Sequence, residues 1–238
     1  MAGSVSESGW SGRWELGSNA QLLHAVILSV AIISHFIVGF VIVGPALGLG
    51  PDEVFGGSVA AILMTIAQGV WGLGVVLGGG LFWIGKVSLR DVGWHTDTLG
   101  RDLALGAVGA VVLVLALFGP LVAAGMVDVG ETVRGIAGFT LGQRVEILFI
   151  GLLAAAIEET TFRGYLQPGL VARLGFPAGL VIGAVIFGLY HLPMGIPPLM
   201  LALKCVSGLI LGLLRGRDRS LFASGFAHFL FWQLVGFS

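Results

Sequence analysis

Ala155-Ala156-Ile157-Glu158-Glu159-Thr160-Thr161-Phe162-Arg163-Gly164-Tyr165 closes the unbroken apolar run from Ile147 to Ile157 with two adjacent carboxylates and, four residues after the second, an arginine. Ionisable groups are disfavoured inside a membrane segment by several kcal/mol unless they are paired or line a cavity, so their default reading is functional. Neighbouring residues on a helix point about 100° apart, so Glu158 and Glu159 cannot serve one partner equally well. Glu159 and Arg163 stand at i and i+4, acid before base, and neutralise each other. Glu158 is left without a partner on its own helix, which makes it the candidate general base.

Composition supports a membrane setting for this stretch. Of 238 residues, 56% are hydrophobic and 11% charged, less than half the charged share of an ordinary soluble domain. The net charge of -1 and the scattered basic residues exclude a nucleic-acid footprint. Cys205 is the only cysteine, which rules out an intramolecular disulfide and a cysteine-ligated metal; it reads as a small packing residue. The 40 glycines include small-xxx-small runs at Gly74/Gly78, Gly175/Gly179/Gly183 and Gly208/Gly212/Gly216, a spacing that lets helices approach closely in lipid.

Outward from the acids, the chain reads as an all-α polytopic transmembrane helix bundle of about seven spans, with a buried polar site in its C-terminal half. Residues 1–19 form a polar tail, expected to be loose and cytoplasmic, and 20–238 a single transmembrane domain. Spans are expected at Gln21 to Val43, ended by Gly44-Pro45, then Val59 to Ile84 and Leu103 to Ala124. A mixed-charge loop, Asp128 to Arg144, leads into a fourth span that starts near Val145 and must run through both acids to be long enough. Phe176 to Leu192, Pro198 to Leu214 and Leu221 to Phe237 complete the set. Alternate loops place Arg13, Lys86, Arg90, Arg101, Arg163, Arg173, Arg215, Arg217 and Arg219 on one side, against Arg134 and Arg144 on the other. The positive-inside rule then puts the N-terminus in the cytoplasm and the C-terminus outside the cytoplasmic membrane.

Two later spans carry histidines, His191 and His228. If the fourth and fifth spans form a hairpin near Gly175, Glu158 lies 17 residues before the turn and His191 16 after it, so both sit roughly 25 Å from it. His228 is nine residues past Arg219, about 13 Å into the last span. One glutamate and two histidines sharing a water can remove its proton as it attacks a carbonyl, and donate to the oxyanion that develops. The same set, Glu158, His191 and His228, also suits a zinc ion with an open position. His24 and His35, three turns apart on the first span, have no acid beside them and read as packing or hydrogen-bonding residues. The tryptophans read as belt or packing residues.

Glu158-Glu159-x-x-x-Arg163, Phe187-x-x-x-His191 and a late His228 after the basic turn Arg215 to Arg219 resemble the CAAX protease and bacteriocin-processing (Abi) family of intramembrane endopeptidases. The resemblance covers a catalytic core over residues 145–237. It implies a protease cutting a protein or peptide, near its C-terminus or in a leader, with a lipidated substrate among the options and membrane lipid around it. It further implies that Glu158 activates water with His191, that Glu159 and Arg163 hold the site in shape, that His228 helps form the oxyanion hole, and that no metal cofactor is needed. The family commonly has Asn or Asp four residues after the last histidine, where this chain has Trp232 and then Gln233. Either Gln233 substitutes through a local shift or the oxyanion hole is weaker. Two other classes fit the buried charges: a non-enzymatic immunity or scaffold protein of the same fold, which Trp232 favours, and a proton- or ion-coupled transporter, which would show internal repeats.

Overall fold

Inside hydrocarbon every backbone N–H and C=O must bond within its own segment, which leaves helix as the form available to these apolar runs. The computed structural model describes residues 10–216 and 220–236, and among them there are helices and no strand. In chain order the helices are α1 (Asn19–Ala46), α2 (Val59–Ile84), α3 (Leu99–Ala123), α4 (Val129–Ala137), α5 (Leu141–Leu174), α6 (Phe176–Leu189), α7 (Pro198–Arg215) and α8 (Leu221–Val235). Arg217, Arg219 and Phe237 lie outside the described residues.

Five helices are long and apolar enough to cross a membrane: α1, α2, α3, α7, and α6 with its extension to Met194. The chain is an integral membrane protein. Helices α4 and α5 qualify only together, across a bend of 106°, because Arg144, Glu146, Glu158, Glu159 and Arg163 interrupt the apolar stretch of α5. The final helix has 15 residues. The expected seven spans therefore reduce to five, or six with the bent pair, that meet the length requirement. Helix α1 also runs past its expected stop, through Gly44 and Pro45 to Ala46. The stretch read as a loop, Asp128 to Arg144, contains α4, whose first turn is capped by the Asp128 carboxylate accepting from Glu131 N–H at 2.8 Å.

The core joins α1, α2, α5 and α6 through Leu28, Ile32, Leu77, Leu81, Phe162, Tyr165 and Phe187, while Leu113, Leu117, Leu211 and Ala227 form a second cluster between α3, α7 and α8. Side chains on the outer faces are apolar and exposed, such as Leu23, Ile27 and Val30 on α1 and Val108, Val111 and Leu115 on α3. Contiguous exposed apolar faces of this kind are surfaces for lipid rather than water. The glycine runs at 179 and 208 act as expected: a Cβ at Gly208 would stand 2.9 Å from the Ala184 backbone, and one at Gly179 2.6 Å from Val171 N. Gly74 faces open space and Gly78 only the preceding turn of its own helix, so that pair is not a helix contact. Cys205 packs against Gly188 between α6 and α7.

The segment before α1 is packed rather than loose over residues 10–18. Arg13 N–H donates to Gly85 O at 2.7 Å, Trp10 stacks on Tyr165 with ring centres 6.1 Å apart, and Trp14 lies against His24. Ser11 and Ser88 both donate to the Asp91 carboxylate. Partial burial pushes that carboxyl up, but these hydrogen bonds outweigh it and hold it below its usual range, so Asp91 is an acceptor for both partners at neutral pH.

Contacts sort the connections into two ends. At one, Arg13 meets Gly85 and Leu221 N–H donates to Gly93 O at 2.8 Å, joining the N-terminal segment, the α2–α3 connection and the α7–α8 turn. At the other, Gly57 N–H donates to Glu146 Oε2 at 2.8 Å, and Gly236 abuts Phe139. This end holds the α1–α2 connection, the start of α5 and the end of α8.

Candidate active site

Helix α5 leaves the α-helical ladder at the two acids. It is α-helical to Glu158 and π-helical over Glu159–Leu166. Thr160 and Thr161 return their hydroxyls to the carbonyls of Ala156 and Ile157, competing with the backbone for those acceptors. Helices α1 and α2 are π-helical too, over Ile37–Val43 and Val70–Ile84, so it is the buried charge and not the π geometry that sets this stretch apart. Trp94, from the α2–α3 connection, donates its indole N–H to Thr160 Oγ1 at 2.8 Å and covers this turn.

Every residue of the π segment is buried, and its charges are compensated across helices. Glu159 Oε1 lies 3.4 Å from Arg163 Nη1, the i,i+4 pair that the sequence predicts, and 3.0 Å from His228 Nδ1 on α8. The Arg163 guanidinium also sits 3.9 Å from the centre of the Phe187 ring, a favourable cation–π placement in a dry interior. The same ring packs edge-on against His191 and His228. Arg163 is thus internal and drops out of the loop charges.

Glu158 has a different environment. Its Oε2, like that of Glu159, is buried with no hydrogen-bond partner among the described residues, but no arginine or lysine lies within 4 Å of it, and His228 Nε2 is 3.9 Å away, beyond direct hydrogen bonding. Glu158 and His191 both line a cavity of about 90 Å³, large enough for several water molecules. The rest of that wall is largely apolar, with Phe36, Phe40, Phe55, Leu153 and Met194 among its residues.

Hydrogen bonding fixes which ring nitrogens are free. His191 Nδ1 is 2.9 Å from Phe187 O, and a carbonyl only accepts, so Nδ1 carries the proton. In the neutral ring Nε2 is then a bare acceptor. His228 Nδ1 faces a carboxylate paired with arginine and donates to it, which again leaves Nε2 without a proton in the neutral ring. Both imidazoles are set to accept a proton through Nε2; His191 lines the cavity, and His228 Nε2 lies beside Glu158.

The structure brings Glu158, Glu159, Arg163, His191 and His228 to one place between α5, α6 and α8. Among the described residues no group of three or more His, Cys, Asp or Glu side chains is arranged to hold a metal ion. A zinc ion would draw on Glu158 and the Nε2 atoms of His191 and His228, whose Nδ1 atoms are held by Phe187 O and the Glu159 carboxylate, the usual outer contacts of a metal-ligating histidine. Gln233 does not replace the missing Asn or Asp: its amide donates to Ile147 O at 3.1 Å, while Trp232 lines the cavity. His35, read as a packing or hydrogen-bonding residue, lines the cavity from α1 and lies 3.5 Å from the Tyr190 hydroxyl. Another cavity residue escaped the sequence reading. Lys204 lines it from α7, and a single lysine in an apolar span was the signal that marked it.

The fold and the cluster define a helical membrane protein with an internal, partly compensated Glu-Glu-Arg-His-His site. Residues 140–232 match the family model for type II CAAX prenyl endopeptidase Rce1-like proteins, the CAAX protease and bacteriocin-processing group that the motifs resemble. No curated protein and no solved structure matches the chain.

Proposed function

We propose that this protein is an intramembrane endopeptidase that hydrolyses a peptide bond near the C-terminus, or in the leader, of a protein or peptide substrate. One observation carries the reading: a buried carboxylate oxygen of Glu158 without a partner among the described residues, on a cavity that it shares with His191. Glu158 and the bare Nε2 of His191 polarise a water between them. As its oxygen adds to the carbonyl carbon, Glu158 takes the proton; as the C–N bond breaks, the same proton passes to the departing amine. Glu159 and Arg163 hold the π segment and His228 in place, and His228 in its charged form donates through Nε2 to the developing oxyanion. The cavity's apolar wall is compatible with a lipidated substrate.

The test is comparison of protein N- and C-terminal peptides from cells carrying wild-type protein or Glu158→Gln. New termini that depend on wild-type protein support the reading. An unchanged set of termini, with a partner retained on both forms, returns the protein to an immunity or scaffold role.

We further propose seven crossings, with the N-terminus in the cytoplasm. The two groups of connections described above support the count, since alternate loops fall at opposite ends. Lys86, Arg90 and Arg101 against Arg134 and Arg144 support the direction. In a Cys205→Ser background, Gly135→Cys is expected to react with an impermeant maleimide on intact cells and Asp97→Cys only after lysis. The reverse pattern overturns the orientation.

A further inference from the structure

From the cavity geometry we infer that Lys204 is a catalytic residue of this site, its ammonium stabilising the oxyanion of the tetrahedral intermediate in place of the side-chain amide or acid that Trp232 displaces. The inference rests on the proposed hydrolysis and concerns where the negative charge of that reaction goes.

Addition of water moves the carbonyl π pair onto oxygen, and that charge must be met by a donor already in position. Each neutral imidazole spends its only N–H elsewhere, His191 on Phe187 O and His228 on Glu159 Oε1, so His228 contributes only when charged and the oxyanion calls for a second donor. Trp232 occupies the position where the family carries Asn or Asp, and Gln233 is turned away to Ile147 O. Lys204 is the one lysine or arginine among the residues that line the cavity, and Glu158, His191 and Trp232 are on the same wall. Among the described residues its ammonium makes no hydrogen bond and no ion pair within 4 Å. It is held instead 5.8 Å from the centre of the Trp232 ring, within cation–π range. The bulky residue that cannot serve as a compact amide donor thus seats a cation over the cavity. A strongly hydrated ammonium is costly to place in a membrane interior; the Glu158 carboxylate on the same wall attracts it from beyond 4 Å, and the anion formed during turnover adds a nearer partner as Glu158 takes up the proton of the water. When the intermediate collapses, the oxyanion pair reforms the carbonyl, the C–N bond breaks, and Lys204 ends with the protons it began with.

The probe is an internally quenched peptide spanning a scissile bond found by the terminal comparison above, cleaved by the full-length protein in liposomes. Lys204→Met is expected to lower kcat by about 10²–10³-fold, the usual loss for one oxyanion donor, with KM changed less than threefold. Lys204→Arg should recover part of kcat. Lys204→Ala should regain activity with added methylammonium, saturably, which a purely structural lysine would not show. All three variants are first checked for wild-type elution and thermal stability, and methylammonium rescue keeps the test decisive should Lys204→Met fail to fold. Unchanged kcat in a folded Lys204 variant, or a raised KM with kcat intact, overturns the assignment while leaving the Glu158 reading in place. Cleavage that persists in Glu158→Gln overturns both.

Discussion

Glu158→Gln is expected to reduce kcat on a cleavable peptide by about 10²–10⁴-fold, the usual contribution of a positioned general base, while the protein still inserts and folds. Glutamine keeps the shape of the side chain and loses the ability to take a proton. The site also predicts the combination with His191→Gln. Both groups address the same water, so the double variant should be little worse than Glu158→Gln alone, as for residues that act as a unit. Single-turnover kinetics on the four proteins give the answer. Near wild-type turnover by Glu158→Gln, or losses that multiply, would remove Glu158 from the base role.

The second large effect concerns folding. Arg163→Met leaves the Glu159 carboxylate in a fully buried position with the His228 Nδ1–H as its remaining close partner and removes the cation from the Phe187 face. Breaking a buried pair from one side typically costs about 3–5 kcal/mol. Adding Glu159→Gln to Arg163→Met should return a substantial part of that loss, since the uncompensated charge goes with it. Reversible unfolding in mixed micelles measures all three variants. If Arg163→Met alone is as stable as wild type, the pair is not what holds the π segment in place.

The parts of this molecule that were legible in the sequence are those with a large energetic signature. Val59–Ile84 appears with the predicted ends because apolar length is what lipid demands. The Glu159–Arg163 pair was legible because charge within an apolar run needs a partner. Helix hairpin arithmetic around Gly175 brought Glu158 and His191 to one level, and they share a cavity. What was hidden depends on local choices that spacing does not encode. The departure from α-helical bonding after Glu158 goes with two threonine hydroxyls, and α-helical geometry had been assumed throughout. Gln233 could not substitute for a residue at 232 because adjacent helical positions diverge by about 100°, and its amide is bound to α5. The N-terminal segment looked polar by composition, yet Trp10 and Trp14 pin it to the bundle. Lys204 obeyed the same rule that exposed the acids.

Helix α8 carries His228 and Trp232 on 15 residues, a rise of roughly 22 Å against a hydrocarbon thickness of about 30 Å. If α8 is a crossing, as in the proposed seven-span topology, acyl chains reaching its exposed end at Leu234 would have to shorten by disorder or splay, and the bilayer would dip beside the wall that holds the reactive groups. A peptide approaching along that flank travels less distance through oil than it would elsewhere on the protein, and membranes built from longer lipids would resist the dent.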